Sequence, residues 1–119
     1  MSPYADSTAL AEAAVIMDRC NDLAGLSSHP EKLERLHLSP EHRAANDLVA
    51  TWMAEAGLST WQDPAGNQCG RLEGREPGLP ALLLGSHIDT VPDAGRYDGM
   101  LGVLLAIQTV SRIRDSGIA

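Results

Sequence analysis

The chain has 119 residues with 9 Lys and Arg against 16 Asp and Glu, a formal charge of −7 with His neutral, and that length holds one domain at most. At 44% hydrophobic and 21% charged residues the composition is that of a folded globular protein and not of a disordered chain. The acidic balance lacks the basic stripe of a nucleic-acid binder, no run approaches the roughly 18–20 apolar residues of a membrane span, and Met1–Asp6 has no basic-then-apolar signal pattern; a cytoplasmic address is expected, without nucleic-acid or membrane partners.

Ala9, Ala13, Ile16, Met17, Cys20 and Leu23 recur at threes and fours and are followed by Gly25, which predicts an amphipathic helix from about Thr8 to Ala24. Ser27 to Ser39 mixes His, Pro and charges and reads as a loop. Ser39 is a fitting N-cap for a second helix, because Pro40 costs nothing at the first helical position and Glu41 favours the positive end of the dipole. Ala45, Leu48, Val49, Trp52, Met53 and Ala56 line one face of that helix and Gly57 ends it. Leu58–Gln62 and Asn67–Leu72 form a hairpin-like pair around the turn Asp63-Pro64-Ala65-Gly66. Cys20 and Cys69 match no Cys-x-x-Cys pattern and read as inert thiols.

Glu73 to Pro80 holds Gly74, Pro77, Gly78 and Pro80 and reads as a surface loop. Ala81–Leu84 is a continuous apolar run of strand length, which suggests a strand buried on both faces in a largely parallel sheet. A polar loop from Pro92 to Gly99 leads to a last helix from about Met100 to Arg114. Its Leu101, Val103, Leu104, Leu105, Ile107 and Val110 make it apolar nearly all round, so deep burial is expected. This order is the opening of an α/β layered domain. So apolar a helix needs more covering layers than the chain supplies, and residues 1–119 are expected to be the N-terminal portion of a larger domain.

His87, Asp89 and Asp98 fall beyond the carboxyl end of the apolar run, where α/β sheets bind ligands. In extended chain Asp89 projects from the same face as His87. A carboxylate accepting one ring N–H fixes the tautomer and leaves the other nitrogen for a metal. Asp98, before Gly99 and a helix, could reach the same ion or bridge two. Plainer roles stand beside these: His87 as an ordinary satisfied polar residue, Asp98 as an N-cap, and Asp89-Thr90 as turn chemistry.

Leu84-Gly85-Ser86-His87-Ile88-Asp89-Thr90-Val91, then Ala94-Gly95-Arg96-Tyr97-Asp98-Gly99 and Leu101-Gly102-Val103-Leu104, resemble the metal-site signature of the dinuclear zinc metallopeptidase and amidohydrolase family that includes aminoacylase, carboxypeptidase G, N-carbamoyl-L-amino-acid hydrolase and allantoate amidohydrolase. Leu38–Asn46, Trp52-Met53, Ala56-Gly57, Asp63, Gly66-Asn67 and Gly70-Arg71 are similar to the allantoate amidohydrolase branch. The resemblance runs from about Asp18 to Val110. It implies a layered α/β zinc-hydrolase catalytic domain in which His87 binds one metal, Asp98 bridges two, and Asp89 is the catalytic residue that orients His87. It also implies two Zn²⁺ or Mn²⁺ ions, a small ureido or amide substrate and a homodimeric complete enzyme.

In that family the peptide after the bridging aspartate is often cis, which marks Asp98-Gly99 for inspection. Met100 departs from the small or polar residue expected there. The glutamate base, its paired ligand and two further histidines of the family lie on segments that these residues do not include, so the chain alone is expected to be inactive. His29, His37 and His42 are expected to be exposed. A carbamoyl-amino-acid hydrolase or peptidase of the same family, a non-catalytic module that binds metal or a partner, and an α/β domain without metal are the alternative readings.

Overall fold

The first helix, α1 (Ser7–Ala24), starts where Asp6 Oδ1 accepts the Ala9 N–H at 2.6 Å, and it buries Ile16, Cys20 and Leu23 along one stripe. The structure is a computed structural model that describes residues 6–118. The second helix, α2 (Pro40–Glu55), begins as the residue types require: the Ser39 side chain accepts the His42 N–H at 3.1 Å and Pro40 opens the first turn. Gly57 follows at φ 90°, a conformation that closes the helix and that a side chain would resist.

Strands β1 (Ser59–Gln62) and β2 (Gln68–Arg71) pair antiparallel, Ser59 opposite Arg71 and Gln62 opposite Gln68. Asp63 Oδ1 accepts from both Ala65 N and Asn67 N at 2.9 Å, which holds the turn between them. The hairpin packs against α2, and α3 (Met100–Asp115) packs along α1. Between them, Ala94 N donates to Leu33 O at 2.9 Å and Thr90 N to Arg35 O at 2.8 Å, so residues 33–35 and 90–94 lie side by side.

One core joins these pieces: Ile16, Cys20 and Leu23 of α1, Ala45, Val49 and Trp52 of α2, Leu33 and Ile88 from the loops, and Met100, Leu104 and Ile107 of α3. Arg19 lies 5.0 Å over the Trp52 ring and pairs with Glu55 at 3.0 Å, tying α1 to α2 at the edge of that core.

Two expectations are not met among the described residues. Among the described residues the sheet has two antiparallel strands, and Ala81–Leu84 joins no ladder, with Leu82 87% and Leu83 88% exposed. A strand is made by neighbours that take up its N–H and C=O groups, and here the hairpin is fixed on α2 instead. The α3 helix is buried only along Met100, Leu104 and Ile107, with Leu105 left 48% exposed. The molecule is a slab of 44 × 43 × 18 Å, too thin to cover a helix on every side. Among the described residues no helix is long and apolar enough to cross a membrane.

Candidate functional site

His87, Ile88, Asp89 and Thr90 lie on the segment held against residues 33–35, and their burial alternates. Ile88 and Thr90 turn inward, while His87 is exposed and Asp89 half-exposed. Inward residues anchor the segment and outward ones are free for chemistry. His87 Nδ1 lies 3.0 Å from the Asp89 backbone carbonyl and 3.5 Å from Asp89 Oδ1. The carbonyl is therefore the hydrogen-bond partner and the carboxylate a looser second contact, where the sequence pointed to the carboxylate. Since a carbonyl only accepts, Nδ1 carries the proton in the neutral ring and Nε2 keeps its lone pair.

Gly99, the residue after Asp98, lies against His87. An added Cβ there would clash with both the ring and the carbonyl oxygen of His87. Only glycine fits there, and its φ of 79° is also one that side chains resist. The N-cap of α3 is Gly99, with no side-chain capping bond, so Asp98 does not cap the helix and its exposed carboxylate is left for another partner. The Asp98-Gly99 peptide is trans, against the expectation of a cis bond; the positive φ of Gly99 makes the turn without one. Met100 is fully buried and its sulfur accepts from Arg35 Nη2 at 2.8 Å, which accounts for an apolar residue at this position.

The sequence reading missed two residues that stand behind this segment. Arg35 is fully buried, against the ordinary behaviour of arginine. Burial lowers its pKa, opposed by the nearby Asp89 charge. Nothing in its local sequence announces this.

His42 is 6% exposed, against expectation, and its Nδ1 accepts the Leu38 N–H at 2.9 Å. That bond steadies Leu38, whose φ of 61° is uncommon for a non-glycine residue. The signal for His42 was present, because it lies three, four and seven residues before Ala45, Asn46 and Val49 on the buried stripe of α2. Burial holds its pKa below the ordinary value, with His37 and Arg35 adding to the shift and Asp89 opposing it. The His37 and His42 rings are 5.1 Å apart, and both line a cleft of about 360 Å³ together with Asn46, Ser86, His87 and Asp89.

These residues fit part of a divalent-metal site. One imidazole nitrogen with its other nitrogen tied to a carbonyl, and one carboxylate free of capping, are the donor types such ions take. Among the described residues no three of His, Cys, Asp and Glu form a cluster that could hold an ion; His87 and Asp89 are brought together, but Asp98 is not assembled with them into a site.

No family model matches the chain. It is 46% identical over 99 residues to allantoate deiminase 1 of Glycine max, an alignment that covers 83% of this chain and 20% of that protein. To N-carbamoyl-L-amino-acid amidohydrolase of Pseudomonas sp. (strain NS671) it is 46% identical over 86 residues, 72% of this chain and 21% of the relative. A hydantoinase/carbamoylase family amidase from Burkholderia ambifaria superposes with a TM-score of 0.80 at 34% identity, covering 87% of this chain and 26% of that one. The chain thus spans about a fifth of the length of the curated relatives it matches.

Proposed function

From this homology to allantoate deiminases, N-carbamoyl-L-amino-acid amidohydrolases and hydantoinase/carbamoylase family amidases, we propose that residues 1–119 are the N-terminal part of the catalytic domain of a metal-dependent hydrolase. Its substrate is a small carboxylic acid carrying a ureido or amide group, whose C–N bond is cleaved. The observation that carries the reading is the coincidence of this homology with a His87 whose Nδ1 is held by the Asp89 carbonyl, which leaves Nε2 its lone pair, and whose ring packs against Gly99, the residue after Asp98. Allantoate is the first substrate to test and an N-carbamoyl-L-amino acid the second. The complete enzyme is proposed to be a cytoplasmic homodimer.

His87 would hold one divalent cation through Nε2, and Asp98 would bridge it to a second. Bound Zn²⁺ or Mn²⁺ supplies Lewis-acid activation of water and of the scissile carbonyl. Asp89 sets the ring angle of His87 through its backbone carbonyl and adds its negative charge beside the ring. Gly99 lets the start of α3 pack closely against that ring. The general base and the remaining ligands are proposed to come from segments outside these residues, so the chain by itself is expected not to turn over substrate. In that larger domain Ala81–Leu84 would become a strand of a layered, largely parallel sheet.

The test is cobalt(II) binding to the chain and to its His87→Ala and Asp98→Asn variants, with hydrolysis of allantoate and of an N-carbamoyl-L-amino acid assayed beside it. The expected result is weak binding that either substitution removes, and no turnover. Binding indifferent to both substitutions overturns the metal assignment, and turnover by the chain alone overturns the statement that its base lies elsewhere.

A further inference from the structure

Arg35 sits behind the donor segment, and its bonds reach three parts of the chain. Nε donates to Ile88 O at 2.8 Å, Nη1 to Leu23 O at 2.6 Å and to Leu26 O at 2.7 Å, and Nη2 to Met100 Sδ at 2.8 Å. Its main chain adds two more bonds, Arg35 N to Thr90 Oγ1 and Thr90 N to Arg35 O, both 2.8 Å. The end of α1, the residues on either side of Asp89, and the first residue of α3 therefore meet on one guanidinium.

A cation fully out of water and held by carbonyls and a thioether is a poor way to stabilise a core, since an apolar side chain of similar volume avoids the desolvation. What guanidinium offers that an apolar side chain lacks is a rigid planar fork that fixes several acceptors at once. The acceptors chosen are informative. Ile88 lies between His87 and Asp89, Thr90 follows Asp89, and Met100 stands two residues after Asp98, so both proposed donors flank atoms that Arg35 holds.

We propose that Arg35 is the positioning residue of the donor segment, fixing through Ile88 O, Thr90 and Met100 Sδ the placement of His87 relative to Asp98. It acts through other residues and is not itself a ligand. Met100 then belongs to the same device: the unexpected thioether after Asp98-Gly99 is the acceptor that ties the start of α3 to the guanidinium. The proposal rests on the metal-site reading above, so its test has one arm with metal and one without.

In the metal arm, the chain and its Arg35→Lys, Thr90→Val and His87→Ala variants are titrated with cobalt(II) and followed by visible absorption, with far-UV circular dichroism confirming the fold. Arg35→Lys keeps the charge and loses the fork, and is expected to weaken binding about tenfold or more, as loss of a support behind a metal ligand does. Thr90→Val keeps the shape, is expected to weaken binding in the same direction, and decides the matter if Arg35→Lys does not fold. In the metal-free arm, imidazole nitrogen NMR above neutral pH reads the His87 tautomer. The ring is expected to be held with its proton on Nδ1 in the parent chain and to become a mixture in both variants.

An unchanged tautomer, or undiminished cobalt affinity, in the folded variants overturns the role of Arg35. Equal cobalt binding by the parent and by His87→Ala overturns the metal reading instead, and the tautomer arm then decides for Arg35 alone.

Discussion

Leu104 and Leu83 are the same residue in two apolar runs, yet one is 1% exposed and the other 88%. Leu104 belongs to α3, which lies along α1 and beneath Ile88, where a shared core receives it. Leu83 belongs to a run that joins no helix or ladder among the described residues. An apolar sequence therefore sets a demand for burial, and only a partner surface meets it. Leu82 and Leu83 are both left exposed, as the strand proposed for this run, with successive side chains on opposite faces, would be without its neighbours.

The sharpest way to break this comparison is to truncate both leucines. Leu104→Ala is expected to cost about 2–5 kcal/mol in urea unfolding, as cavity-forming core substitutions do, whereas Leu83→Ala is expected to stay within about 0.5 kcal/mol. Equal costs would mean that Leu83 is buried in solution, by self-association or by a partner, and sedimentation at several concentrations would show which.

A smaller effect sharpens the packed side of the contrast. Ser39→Ala removes the side chain that accepts the His42 N–H, and a loss of about 1 kcal/mol is expected from a missing N-cap. The same unfolding measurement checks it, and Ser39→Gly is expected to recover most of the difference.

The smallest effect is the pH dependence of the buried cleft wall. Burial holds the His42 pKa below its ordinary value of 6.5, so the unfolded chain takes up the proton more readily than the folded one. Its contribution to stability is complete above pH 6.5 and is lost as pH falls through the lower folded value. His42→Asn keeps an acceptor for Leu38 N–H and removes the titration. The expected outcome is a melting temperature that drops less on acidification in His42→Asn than in the parent, and identical slopes would contradict it.

Much of the fold was legible because local chemistry settled it. The Ser39-Pro40 start, the stripe of Ala45, Val49 and Trp52, and the Asp63 turn each depend on residues close in sequence, and the structure keeps all three. The segment holding His87, Asp89 and Asp98 was also visible, through its residue types and its likeness to a known family. Its internal geometry was not, because the nearest partner of His87 is a main-chain carbonyl, which every residue carries. Arg35 was illegible for a related reason, since all but one of its acceptors are main-chain or hydroxyl oxygens contributed from distant positions.

The sequence by itself determined where the helices begin and end and which hairpin forms, since these follow from neighbouring side chains and from short periodicities. The tertiary structure alone decided that Ala81–Leu84 stays outside any ladder, that α3 buries a single stripe, and that Arg35 and His42 go inside. The reason is physical: burial and hydrogen-bond satisfaction are properties of pairs of surfaces, and a chain read in order shows one member of each pair at a time.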